Sequence, residues 1–312
     1  MSDSSGSASQ AAKPVSGRIF LTGATGFVGG NILEALGDRP VRALVRSKRE
    51  AARIAGSNVE LVEGDVTSPE SLRGALDGCE AAIHLVAIIA EEGGATFDGV
   101  IRQGTVNVVA EAKRADIARL VHMSALGTRN DPRYGYFEAK WQAEQAIERS
   151  GIPWTIFRPS IIFGPGDGFI TTLAKLVRAA PVIPVVGAGK STFQPVSVRE
   201  VARSFVRALD DPATAYHVYE LGGGKIYTYE ELLDAIAYRL GTRKPKVHVP
   251  VAAMKLAVGL SSPLPKAIRP PVTSEQLKML EIDNATDRSA TAELIGAEPV
   301  RLEDGIDYIV RI

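Results

Sequence analysis

Residues 18–38 read RIFLTGATGFVGGNILEALGD, and the order of residue types in this stretch decides the fold. RIFLTG is a short β-rich run that stops at glycine. GFVGGNILEALGD then carries Phe27, Val28, Ile32, Leu33 and Leu36 at helical spacing. Between the two runs, Gly23, Gly26 and Gly29 form a G-x-x-G-x-x-G pattern in a strand–turn–helix setting. Glycines there allow a tight turn, close backbone approach to a pyrophosphate, and close packing of helix on strand. The helix start adds free N–H groups and a positive dipole end that suit phosphate oxygens. Thr25, Phe27 and Val28 complete the loop expected to face a dinucleotide.

Outward from this turn the same rhythm repeats. PVRALVRS, VELVEGDVT, EAAIHLVAI, RLVHMSA and IPWTIFRPSIIFG read as five further strands. KREAARIAG, SPESLRGALDG, VIRQGTVNVVAEAKRAD and YGYFEAKWQAEQAIERSG read as the helices between them. Apolar strands alternating with helices predict an α/β fold, a doubly wound parallel Rossmann sheet covered on both faces. After Gly164 the rhythm loosens, and TYEELLDAIAYRLG reads as a helix capped by Thr228. The expected organisation is a disordered tail over residues 1–16, a nucleotide-binding domain over 17–164, and a smaller interleaved lobe over 165–312 that returns strands to the sheet.

Composition narrows the function. The chain has 312 residues, 45% of them hydrophobic and 23% charged, and Lys plus Arg balance Asp plus Glu at 36 each. That is ordinary for a soluble globular protein and argues against nucleic acid as a partner, which usually demands a basic excess. The lone Cys79 excludes an intramolecular disulfide. His84, His122, His217 and His248 lie far apart, so no metal is expected. His84 and His122 sit in apolar runs and read as packed, hydrogen-bonded strand histidines. The first residues lack a basic and an apolar signal region, so the expected location is cytoplasmic.

The choice of dinucleotide rests on the end of the second strand. An NAD site usually places a carboxylate there to take the ribose hydroxyls. Here Arg46 occupies that position, with Lys48 and Arg49 close behind. A guanidinium suits a 2′-phosphate, so NADP(H) is the expected cofactor and NAD(H) the second choice. Asp65, at the end of the third strand, is placed to receive the adenine amino group.

The motifs TGATGFVG, GDVT, IHLVA, GTVNVV, Y-x-x-x-K-x-x-x-E and RPSIIFGPGD occur in the order found in the extended and atypical short-chain dehydrogenase/reductases, which this chain resembles over residues 18 to about 240. Within that group it is most similar to bacterial relatives of the nucleotide-binding accessory subunit of respiratory complex I. SALGT, YFEAKWQAE, FQPVSVREVA, YELGGG and the late PPVTSEQLKMLEIDN carry that likeness. The resemblance implies that Val66, Val86, Ala87, Pro159 and Ser160 line the cofactor, beside the glycine loop, Arg46 and Asp65. It implies that Tyr136 is the proton donor or acceptor and that Lys140, one helical turn on, lowers its pKa and holds the nicotinamide ribose. Ser124 is the remaining hydroxyl for a substrate oxygen, because Ala125 stands where the family often has a second serine; Thr128 is a substitute close by.

Two functions stay open at this stage. One is an NADP(H)-dependent oxidoreductase or epimerase acting on a small carbonyl or sugar-like substrate. The other is a non-catalytic nucleotide-binding protein associated with a respiratory quinone-reducing complex, peripheral on the inner face of the membrane. Residues 247–272 are apolar and proline-bounded, and suit either a partner surface or a cap on the substrate pocket. The oligomeric state is not readable.

Overall fold

The computed structural model describes residues 12–254, 278 and 282–312. Residues 1–11, and most of the 247–272 stretch, lie outside the described residues. Seven parallel strands form the central sheet: β1 (Ile19–Thr22), β2 (Val41–Val45), β3 (Val59–Glu63), β4 (Ala81–His84), β5 (Arg119–Met123), β6 (Trp154–Pro159) and β11 (His217–Leu221). Their order is β11-β6-β5-β4-β1-β2-β3. The strand order reverses between β1 and β4, which opens a crevice at their carboxyl ends.

Successive strand residues feed opposite faces. On one face Ile19, Leu21, Ile83 and Phe157 pack against helices α1 (Phe27–Leu36) and α6 (Val198–Asp210). On the other, Phe20, Ala82, Leu120 and Ile156 pack against α3 (Gly104–Arg114) and α4 (Gly135–Glu148). A smaller cluster joins α5 (Phe169–Ala179) and α7 (Tyr229–Arg239) to the short strands β8 (Ile183–Val186) and β9 (Thr192–Phe193). Thr228 caps α7 in a reciprocal capping box with Glu231, as expected. Val15, within the stretch expected as tail, is buried and its N–H donates to Leu209 O at 2.9 Å.

Four expected elements come out shorter, each for a local reason. KREAARIAG forms one turn of 3₁₀ helix, Ala52–Ile54, not a full helix. Among its residues only Ala51 is buried, so a longer helix would have no apolar stripe to pack. SPESLRGALDG gives the four-residue α2 (Pro69–Leu72), ended where Gly74 turns to φ +77°. β4 stops at His84 because the next N–H, on Leu85, donates to the Thr22 side chain at 3.1 Å and leaves the ladder. IPWTIFRPSIIFG is two strands: β6 ends at Pro159, and β7 (Ile162–Phe163) pairs with β10 (Val196–Ser197) instead.

Candidate functional site

The glycine loop joins β1 to α1 at the switch point. Gly23 has φ +75°, which an L side chain rarely adopts. A Cβ on Gly29 would sit 2.1 Å from Gly23 O, so the helix can approach the strand only with hydrogen there. Gly26 N–H closes the turn on Gly23 O at 3.0 Å. Thr25 and Gly26 are exposed at the tip, Phe27 is half-buried, and Val28 is turned into the core.

Arg46 lies exposed just past β2. Arg53, missed in the sequence, reaches across from the 3₁₀ turn and donates to Thr25 O at 2.8 Å. It brings a guanidinium onto the glycine loop itself. Asp65 turns one carboxylate oxygen to Thr67 N–H (2.8 Å) and Thr67 hydroxyl (2.7 Å). The other has no hydrogen bond among the described residues. Val66 is buried, and its carbonyl accepts from Asn107 Nδ2 at 2.8 Å. Val86 and Ala87 leave β4 half-buried, with Val86 N lying 3.6 Å from where a Cβ on Gly23 would stand. The loop, Val86 and Ala87 thus meet at one crevice.

Tyr136 and Lys140 both lie on α4 and both are buried. Lys140 Nζ donates to Met123 O at 2.7 Å, one residue before Ser124, so it ties α4 to the exit of β5. Burial lowers its pKa to about 8 against the opposing pull of Glu144. Glu144 is itself buried and held by Arg158, through Nε at 2.9 Å and Nη2 at 2.5 Å. Tyr136 packs in an apolar cluster with Phe97, Phe137, Ala125 and Ile282. That desolvation pushes its pKa up to about 12, the reverse of the lowering expected from Lys140, whose ammonium is turned to Met123 O and does not offset the burial.

The hydroxyls near Tyr136 form a short chain. Thr128 Oγ1 donates to Ala125 O at 2.7 Å. Its proton being engaged, it accepts from Ser124 Oγ at 3.1 Å. Ser160, expected against the cofactor, turns its hydroxyl to Asn284, 2.7 Å from both O and Oδ1. Pro159 is buried at the end of β6.

A second buried polar row crosses the sheet below the site. Thr105 Oγ1 donates to Ile101 O at 2.6 Å, so it accepts from His84 Nε2–H at 3.0 Å. His84 Nδ1 then accepts from the Thr22 hydroxyl at 2.8 Å, whose oxygen takes the Leu85 N–H. This accounting gives one neutral tautomer, and burial with Lys140 nearby holds its pKa at about 3. His122 stacks on His84 with ring centroids 5.3 Å apart. It departs from the expected hydrogen-bonded strand histidine: neither ring nitrogen has a side-chain or backbone partner of normal geometry among the described residues. Burial foremost, then Lys140 and His84, drive its pKa well down, with weak opposition from the His84 backbone.

The sequence and the fold find counterparts in known proteins. A family described as NAD(P)H-binding matches residues 23–212, and the chain belongs to it. The ceramide reductase of Caulobacter vibrioides is 30% identical over 241 residues, 75% of this chain and 74% of that one. The mitochondrial NADH dehydrogenase [ubiquinone] 1 alpha subcomplex subunit 9 of Arabidopsis thaliana is 26% identical over 292 residues, 90% of this chain and 72% of that one. Among solved structures, the NADPH-dependent quinone oxidoreductase of Escherichia coli, complexed with NADPH, shares the fold with a TM-score of 0.74 at 21% identity, over 93% of this chain and 99% of that one. The expected resemblance, to epimerase- and dehydratase-like chains with complex I accessory-subunit relatives, is borne out. No helix among the described residues is long and apolar enough to cross a membrane.

Proposed function

We propose that this protein is an NADPH-dependent carbonyl reductase, with Tyr136 as the proton donor and Lys140 as its electrostatic partner. The supporting observation is Tyr136 itself, buried in an apolar cluster that raises its pKa to about 12. A phenol so placed keeps its proton at ordinary pH; it is a weaker acid than a free phenol, yet still a far stronger one than the alcohol formed when it protonates the developing alkoxide. A bound reduced nicotinamide supplies the hydride to the carbonyl carbon. The chain's part is to hand the Tyr136 hydroxyl proton to the carbonyl oxygen and to stabilise the phenolate left behind. Lys140 is suited to that: it is buried and already anchored at Met123 O. Arg46, with Lys48, Arg49 and Arg53 near it, favours NADPH over NADH. The reductase named among the relatives supports the same direction of reaction. A small neutral carbonyl is the substrate class that an apolar cluster around the phenol suits best.

One observation favours the non-catalytic alternative. The Ser124 proton points to Thr128 and the Thr128 proton to Ala125 O, so neither hydroxyl offers a free donor to a substrate oxygen. The Arabidopsis relative carries the name of a complex I subunit, in keeping with that alternative. The test is fluorescence titration of purified protein with NADPH and NADH, then a carbonyl panel at saturating NADPH. Turnover that vanishes in Tyr136→Phe with NADPH binding unchanged supports the reductase. Tight NADPH binding with no turnover across the panel moves the protein to the accessory reading, and no binding of either nucleotide sinks both.

A further inference from the structure

The segment Ile282–Arg288 comes from far along the chain and lies against the reacting residues. Ile282 packs into the apolar cluster of Tyr136, Phe97 and Ala125. Asp283 Oδ1 accepts from Thr192 N–H and Thr192 hydroxyl, both at 2.8 Å. The segment then walls a cleft of about 420 Å³, whose other side includes Leu126 and Gly127. Those two residues lie between Ser124 and Thr128.

At the centre of the segment, Asn284 has a partner for its carbonyl, its amide and its main chain. Oδ1 accepts from Ile161 N–H at 2.9 Å and lies 2.7 Å from Ser160 Oγ. Nδ2 donates to Leu126 O at 3.2 Å. The main-chain N–H donates to Thr192 O at 2.7 Å, and the main-chain carbonyl accepts from Gln194 N–H at 3.0 Å. One residue therefore joins three segments: its side chain ties the loop after β5 to the exit of β6, and its main chain pairs with the β9 region. The loop after β5 is held from the sheet side by Ser124 N–H to Phe157 O (2.7 Å) and Leu126 N–H to Pro159 O (2.9 Å). Asn284 holds it from the cleft side.

We propose that Asn284 is a positioning residue that sets the height of the Ser124–Thr128 loop against Tyr136. This rests on the reductase reading for its kinetic consequence, but its structural consequence stands apart from that reading. The directional contact is Nδ2 to Leu126 O. Without it the Leu126 carbonyl loses its amide donor on the cleft side, and the Ser124–Thr128 loop is free to shift against Tyr136. A lost partner at a part-buried carbonyl translates into about a tenfold fall in kcat.

Asn284→Asp targets this contact, because it keeps an acceptor for Ser160 and Ile161 and, at neutral pH, replaces the donor with a carboxylate oxygen that repels the Leu126 carbonyl. On full-length protein with NADPH and an active carbonyl substrate, N284D is expected to lower kcat about tenfold at neutral pH, with the Kd for NADPH unchanged. As pH falls and the introduced carboxyl takes up a proton, its O–H replaces the lost donor, and the variant's kcat recovers toward that of the unmodified chain. A merely structural role would not produce that pH-dependent rescue. In parallel, amide hydrogen exchange of residues 124–129 is expected to speed up in N284D at neutral pH, while that of β1 and α1 stays the same. If the unmodified protein turns over no carbonyl, the reductase reading fails and the exchange result alone decides the role of Asn284. A uniform rise in exchange across the fold, or parallel losses of Tm and NADPH affinity with kcat intact, overturns the proposal.

Discussion

Acid should destabilise this protein through its two buried histidines. His84 and His122 are neutral in the fold, with pKa values of about 3 and well below normal respectively. In the unfolded chain each returns to about 6.5. A depressed folded pKa means the stability is fully present above 6.5 and is lost as pH falls toward the folded value. At pH 5 the unfolded state gains RT ln(1 + 10^1.5), about 2 kcal/mol, from each histidine, so about 4 kcal/mol in all relative to pH 7.5. Urea denaturation followed by far-ultraviolet circular dichroism between pH 7.5 and 5 measures it. His122→Leu supplies the control. His122 has no normal hydrogen bond among the described residues to lose, so the leucine variant is expected to match the unmodified chain in stability at pH 7.5. Its loss on going to pH 5 should be halved, to about 2 kcal/mol. An unchanged pH slope in His122→Leu, or a flat profile from pH 7.5 to 5 in the unmodified chain, would refute the reasoning.

Other variants test the site piece by piece. Arg46→Ala should weaken NADPH binding about tenfold while leaving NADH binding nearly unchanged, read by fluorescence titration; equal losses for both would remove the 2′-phosphate role. Gly29→Ala puts a methyl 2.1 Å from Gly23 O. It should abolish nucleotide binding and lower Tm, as seen in a thermal shift assay with and without NADPH. Ser124→Ala should lower kcat about a hundredfold if that hydroxyl serves the substrate oxygen. Thr128→Val removes the group that takes the Ser124 proton, so kcat should hold or rise; a fall as large as in Ser124→Ala would assign the role to Thr128.

What the sequence made legible was local. The glycine loop declares itself because its spacing, strand and helix lie within about twenty residues of one another. Tyr136 and Lys140 are legible for the same reason, one turn apart on one helix. Arg53 was missed because KREAARIAG has helix-forming residues, and only the tertiary fact that Ala51 alone is buried there makes it a turn. The neutral tautomer of His84 needs Thr22, Thr105 and Leu85 together, contributed by β1, α3 and the end of β4. Asn284 was hidden more deeply. Its contacts to Ser160 and Leu126 span 124 and 158 residues, and an asparagine in LEIDN carries no local signature of them.

The seventh strand has a consequence for how the chain is made. β11 pairs with β6 over five positions, from Thr155–His217 to Pro159–Leu221, and covers an edge that would otherwise stand open. On the ribosome, β6 emerges well before its neighbour does. At about 5–20 residues per second the nascent sheet waits several seconds with the outer edge of β6 unpaired. The late bridge from Glu220 to Ser289 arrives after a further comparable interval. During that time the nascent chain presents a strand template of the kind that recruits other chains. A stop or frameshift between residues 165 and 216 would therefore leave an aggregation-prone, unpaired sheet edge and not a shortened nucleotide-binding domain.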